Sequence, residues 1–203
     1  MSELVTAASL KEFFKSLLED VIRRRRVQIT DVTEFYLVNL LSDFVKSDRL
    51  FDQALDADGQ GKRDHEPLAL LYARALSQER EARIRTLRRL GDVSLYKAGF
   101  FSDALRDGPV GADYYIQMGG AAYGQVASLS AGAGFSDVYR ELCAKFRALV
   151  EVLEEISARG LVQNGPVGAL RVYESWVRTG SERLEQVLVD AGLVPVTGRG
   201  MPN

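Results

Sequence analysis

The chain of 203 residues holds one cysteine, Cys143, and one histidine, His65. A single cysteine excludes an intramolecular disulfide and fits a reducing, cytoplasmic setting. So small a stock of soft ligands provides no four Cys and His at close spacing for a zinc site. No Glu-x-x-His occurs, so the motif pair of carboxylate-bridged di-iron bundles is missing. No metal and no cofactor is therefore expected. A basic excess is also lacking: 26 Lys and Arg stand against 28 Asp and Glu, a formal net charge of −2. Neutralising phosphates supplies much of a nucleic-acid binder's affinity, so nucleic acid is not favoured as a partner. The first residues, Met1-Ser-Glu-Leu-Val, have no basic start followed by an apolar stretch, so no secretory signal is expected. Tyr114 to Ser136 is free of charge, but it is rich in Gly, Ala and Ser and carries Gln117 and Gln125. Its hydrophobicity is too low for a spanning helix, and no membrane association is expected. Period-2 strand patterns and internal repeats are absent.

What the chain does contain is helical periodicity. Hydrophobic residues make up 46% and charged residues 27%, an ordinary globular balance that supplies a core for one domain. Ser9-Leu10-Lys11-Glu12 reads as a capping box, followed by Leu10, Phe13, Phe14, Leu17, Leu18, Val21 and Ile22 at helical spacing up to Arg26. Thr30 or Asp31 caps a second helix to about Lys46, weakly extended over 47–53, with Val32, Phe35, Tyr36, Leu40 and Phe44 wide enough to be buried on more than one side. Asp56 to Asp64 is a polar loop, and Pro67 opens a third helix. Glu79 to Leu105 reads helical with Gly91 and Gly99 inside it; each interior glycine costs roughly 1 kcal/mol, so the pair implies a break, or close packing that offsets the cost. Asp107 to Ala112 is a turn around Pro109, and the uncharged helix follows over about 113–130. Ser136 caps a long helix to about Arg159 that Gly160 stops. Pro166 opens a helix to Arg178, and Ser181 starts another that Gly192 terminates. The expected fold is all-α: a single domain over 1–192, a bundle or orthogonal array of seven to eight helices around the Gly/Ala-rich one. A disordered tail is expected over 193–203.

Candidate chemistry is sparse. Asp56, Asp58 and Asp64 lack the closing Glu and ordered spacing of a calcium loop. Cys143 lies inside an amphipathic helix, where a lone cysteine serves as a small core residue, and His65 sits at a loop-to-helix junction. Glu151 and Glu155 share the face opposite an apolar stripe, as a solvated surface requires. Arg23, Arg24, Arg25 and Arg26 close the first helix, and Arg80 and Arg83 head a second arginine cluster; both are candidate contacts for an acidic partner. The most distinctive part is the stretch 90–101 followed by 113–124. There Gly119, Gly120 and Gly124 form a small surface bordered by Tyr96, Phe100, Tyr114, Tyr115 and Tyr123. This pattern fits either tight helix packing or a ligand pocket in which Asp92 or Asp113 is the acid.

The run Leu90-Gly91-Asp92, Gly99-Phe100-Phe101, Tyr114-Tyr115, then Gly and Ala122-Tyr123 resembles a pattern of bacterial all-helical proteins to which no activity is attached. Leu-Gly-Asp followed by Ser94 is also similar to the distal region of haem oxygenases. Here, however, Leu95-Tyr96 stands in place of that family's paired glycines and His65 is not on the first helix, so the resemblance implies no haem chemistry. Strong core signals beside few catalytic groups point to a non-enzymatic interaction or regulatory domain, self-associating or presenting helix faces to a protein partner. The alternative is a small-molecule binder or enzyme using the Gly and aromatic region.

Overall fold

The computed structural model describes residues 7–58, 67–102, 105, 110–132 and 134–195, with the backbone alone for 7–9 and 46–58. Among them are nine helices and no strand: α1 (Ala7–Arg25), α2 (Asp31–Asp58), α3 (Leu68–Leu76), α4 (Arg80–Phe100), α5 (Ala112–Leu129), α6 (Ser136–Ala144), α7 (Phe146–Gln163), α8 (Pro166–Thr179) and α9 (Glu182–Asp190). The Ser9 side chain of the expected capping box, the 59–64 part of the polar loop with His65, the 107–109 part of the turn and tail residues 196–203 lie outside the described residues.

The centre is a pair of helices. α4 lies against α2, α3, α5 and α7, and the Gly/Ala-rich α5 lies against α4, α6 and α7. Gly91 and Gly99 do not break α4. Their missing side chains are replaced by neighbours: a Cβ on Gly91 would lie 2.5 Å from Tyr123 Cε1, and one on Gly99 would overlap the Leu153 side chain. The glycines let α5 and α7 approach, and packing offsets their propensity cost.

The helix expected over 136–159 is two helices, which accounts for the count of nine. The chain bends at Lys145 (φ −108°, ψ 13°). Backbone bonds continue across the bend, from Lys145 N to Glu141 O (3.0 Å) and from Leu149 N to Lys145 O (2.9 Å). Lys145 Nζ donates to the Gln28 carbonyl and to Glu141 Oε1, so α6 is held to the α1–α2 connection while α7 runs along α4, α1, α8 and α9. Gly160 does not end α7; the turn comes at Gly165 (φ 108°), which only glycine adopts readily. Pro166 then starts α8 as expected. On α2, Thr30 Oγ1 accepts from the Thr33 amide (3.3 Å), as the N-cap reading requires. Val32 and Phe35, expected inside, are exposed, because α2 buries only the side carrying Leu37, Val38, Leu40 and Leu41.

Two apolar clusters result. The larger joins α1 to α7; the smaller holds Ala158, Val172, Trp176, Leu184, Val187 and Leu188 from α7, α8 and α9. α7 contributes to both.

Both α1 and α9 end in a Schellman motif. Leu193 N bonds Leu188 O and Gly192 N bonds Val189 O, with Gly192 at φ 78°. On α1 the same bonds run from Val27 N to Ile22 O and from Arg26 N to Arg23 O, but the left-handed position (φ 55°) is an arginine. A side chain there costs about 1 kcal/mol. Arg26→Gly should therefore raise unfolding stability by about 0.5–1 kcal/mol in urea titration, and a loss would mean that the exposed Arg26 side chain itself stabilises the fold.

Candidate functional site

Asp92 is a carboxylate at the meeting of α2, α4 and α5. It sits on α4 one turn after Arg88, and 19% of its side chain remains accessible. Its Oδ1 accepts two tyrosine hydroxyls, Tyr36 of α2 at 2.5 Å and Tyr123 of α5 at 2.7 Å. Arg88 Nε donates to the Tyr36 hydroxyl at 3.2 Å, lies 3.8 Å from Asp92 Oδ2, and its guanidinium stands 5.3 Å over the Tyr36 ring. Tyr139 of α6 packs edge-on against Tyr36, with ring centroids 5.8 Å apart, and 5.9 Å from Tyr123. Burial pushes the Asp92 carboxyl above its ordinary value, and the bonds from Tyr36 and Tyr123 and the Arg88 charge only partly counter this. Burial followed by the nearby Asp92 charge pushes both the Tyr36 and the Tyr123 phenols up, so both remain donors. Chemically this is a tie between three helices: one acceptor oxygen, two donors, and a cation that orients the first donor.

The expected pocket residues fall into three groups. Asp92, Tyr123 and Gly119 share the interior, but no space is left between them. Tyr123 is 0% exposed, and a Cβ on Gly119 would overlap Phe146 and lie 2.7 Å from Ser94 Cβ. A Cβ on Gly120 would lie 3.9 Å from Phe146, an ordinary contact. Gly119 of α5 thus receives the ring of Phe146 and Gly91 of α4 that of Tyr123, the tight-packing form of the pattern. Tyr96 belongs elsewhere, in a stack between Phe44 (4.5 Å) and Phe100 (4.8 Å). Tyr114 and Tyr115 meet edge to face at 5.6 Å near the start of α5, where exposed Asp113 pairs with Arg147 at 2.8 Å.

The arginine candidates are mostly engaged within the fold. Arg24 binds Asp20 and Asp190, and Arg25 binds Glu151 and Glu155. Glu155, expected on a solvated face, is buried between Arg25 and Arg159. Arg80 donates to the Leu129 carbonyl at the end of α5, and Arg83 to the carbonyls of Ala75, Leu76 and Gln78 at the end of α3. Both arginines thus add donors where a helix end runs short of them. Arg23 and Arg26 are exposed.

A second polar tie escaped the sequence reading. Glu141 Oε2 accepts from the Thr30 amide (3.0 Å) and hydroxyl (2.8 Å), and Oε1 accepts from Lys145 (2.8 Å). Burial pushes this carboxyl up, but the bonds from Lys145, Thr33 and Thr30 outweigh it and hold it at about 2. Nothing local in the sequence links Glu141 to Thr30, which lies 111 positions away.

Two surface features remain. The outer face of α8 carries Val167, Leu170 and Val177, exposed by 70%, 56% and 61%, at spacings of three and seven. Glu174 lies on the same face and Arg171 beside it; both are exposed, and neither has a partner among the described residues. On the flank of α8 an open groove of about 640 Å³ runs between α7, α8, α9 and the end of α4. Among the described residues no group of three or more His, Cys, Asp or Glu is placed to hold a metal ion, and no helix is long and apolar enough to cross a membrane. No family model, curated protein or solved structure matches this chain.

Proposed function

We propose that this chain is a non-enzymatic interaction domain that docks through the outer face of α8 and that its first partner is a second copy of itself. The observation that carries the reading is the exposed stripe of Val167, Leu170 and Val177 flanked by Arg171 and Glu174. Exposed valines and leucine at helical spacing are the anchors of a helix-to-helix contact. The stripe is close to self-complementary. When two α8 helices run antiparallel about a two-fold near position 172, Val167 faces Val177 of the partner copy, and Arg171 comes beside the partner's Glu174 twice over. Asp92, by contrast, ties tyrosines of two neighbouring helices through its Oδ1, so the centre acts as a scaffold and recognition falls to the surface. Half-buried Cys143 is compatible with a reducing compartment.

Sedimentation velocity at rising protein concentration tests the reading. A dimer is expected at tens of micromolar, in line with one short helix pair. Leu170→Glu should weaken it at least about tenfold. Arg171→Glu and Glu174→Arg should each weaken it, and the two together should restore it, since the swap rebuilds both ion pairs. A wild-type protein that stays monomeric throughout, or a double variant no better than the singles, refutes the assignment.

A further inference from the structure

We infer that the groove beside α8 is a binding site for an uncharged aromatic molecule of about ten carbons that carries a carbonyl group. It rests on different observations from the α8 docking face. The volume of about 640 Å³ falls within the range of small-molecule sites. Its floor is carbon, from Ala158, Leu161, Val172 and Leu184. Its wall is aromatic, from Phe100 and from Phe101, which is 41% exposed. Carbon surface of this kind favours an apolar body, and the phenyl wall favours a second ring against it.

The rim leaves no charge over for a ligand. Arg183 and Glu154 form an ion pair. Arg178 Nη2 lies 3.4 Å from Ser175 Oγ, and this arginine has a further interaction within the fold. Arg171 and Glu174 are one of each sign and serve the α8 docking face. A carboxylate or an ammonium entering the groove gives up its water and meets no spare counter-charge, so the ligand is neutral. One donor is left over instead. Arg183 holds Glu154 through Nη1, and its Nε–H is buried with no acceptor among the described residues. A buried donor without an acceptor is destabilising, and Arg183 lines the groove. A carbonyl oxygen accepts and does not donate, as a lone N–H requires.

The chain supplies its own reporter. Trp176, its one tryptophan, is buried on α8 in the cluster that contains the groove-floor residues Val172 and Leu184. The full isotope-labelled chain is titrated with propiophenone while the indole N–H resonance of Trp176 is followed by NMR. A saturable shift is expected. Two probes with the same carbon count separate the contributions. Propylbenzene, with a methylene where the ketone has its carbonyl, should bind about fivefold more weakly, the worth of one hydrogen bond. Hydrocinnamate, which is charged, should bind at least about tenfold more weakly than the ketone. Arg183→Lys keeps a cation for Glu154 and removes the Nε–H. It should weaken propiophenone about fivefold and leave propylbenzene unchanged, whereas Phe101→Ser should weaken both. Circular dichroism confirms that the helices persist in each variant. Absence of a saturable shift, hydrocinnamate or propylbenzene binding as tightly as propiophenone, or an Arg183→Lys variant with wild-type propiophenone affinity each overturns the assignment. Arg183 and Phe101 stand apart from the stripe of Val167, Leu170 and Val177, so failure of either proposal is read separately from the other.

Discussion

Replacing Asp92 by alanine should cost about 4 kcal/mol of unfolding free energy. The substitution strands the Tyr123 hydroxyl, whose residue is fully buried, and the Tyr36 hydroxyl, and each unpaired buried donor costs about 1–3 kcal/mol. It also releases the tie between α2, α4 and α5. Asp92→Asn should behave differently. Both tyrosines donate to the same oxygen, Oδ1, and an asparagine keeps that acceptor. Its expected cost is about 1 kcal/mol or less at neutral pH. The pH dependence follows from the same group. Burial raises the folded-state value of Asp92 above its ordinary 3.8, so the folded chain holds this proton more tightly than the unfolded one. The stability it contributes is complete below 3.8 and is lost as pH rises through the folded-state value. Asp92→Asn should therefore gain on the wild type as pH climbs from about 4 to about 8. Urea midpoints across that range measure the difference. An alanine variant that loses less than about 1 kcal/mol, or an asparagine variant that runs parallel to the wild type, would show that Asp92 is not the tie between these helices.

Gly168→Ala should detach the last two helices from the rest of the fold. A Cβ at Gly168 would overlap the backbone carbonyl of Leu161, where α8 crosses the end of α7. At Gly91 or Gly119 the obstacle is the ring of a side chain. Here it is main chain, which has no rotamer to change, so the helices must separate. The expected loss is about 3 kcal/mol, concentrated in the smaller apolar cluster. Hydrogen exchange should speed up across α8 and α9 with little change in α4 and α5, and Trp176 emission should shift toward that of a wetted indole. Uniform destabilisation of the whole chain would contradict a contact confined to α7 and α8.

Elements driven by local signals were legible. The apolar stripe of α1, the cap at Thr30, Pro166 and Gly192 all rest on interactions between residues a few positions apart, and each appears where expected. The misread elements depended on distant partners. Gly91 and Gly99 left a break and close packing both open, because the rings and side chains that fill them come from Tyr123 and Leu153. The bend at Lys145 follows from its reach to Gln28, 117 positions away. Asp92 and Tyr123 stood out in the sequence and do meet. Tyr36 read only as one apolar position on α2, and no spacing rule connects it with a carboxylate 56 residues later. Arg88 was within reach of sequence reasoning, since it precedes Asp92 by one helical turn. The arginine clusters suggested an outward role because their acceptors, the carbonyls ending α3 and α5 and the carboxylates of α7 and α9, become neighbours only in the folded chain.

Arg24 meets Asp190 across 166 positions, and Arg159 grips the same carboxylate. On a ribosome adding about 5–20 residues each second, α1 emerges roughly ten to thirty seconds before the carboxylate that anchors its cationic end. α7, which packs against α1 and supplies Glu151 and Glu155, comes only shortly before. α1 is thus locked only once α7 and α9 have emerged. Before α7 emerges, α2 is the helix that α1 packs against among the described residues, and closure of its remaining face waits on contacts far down the chain.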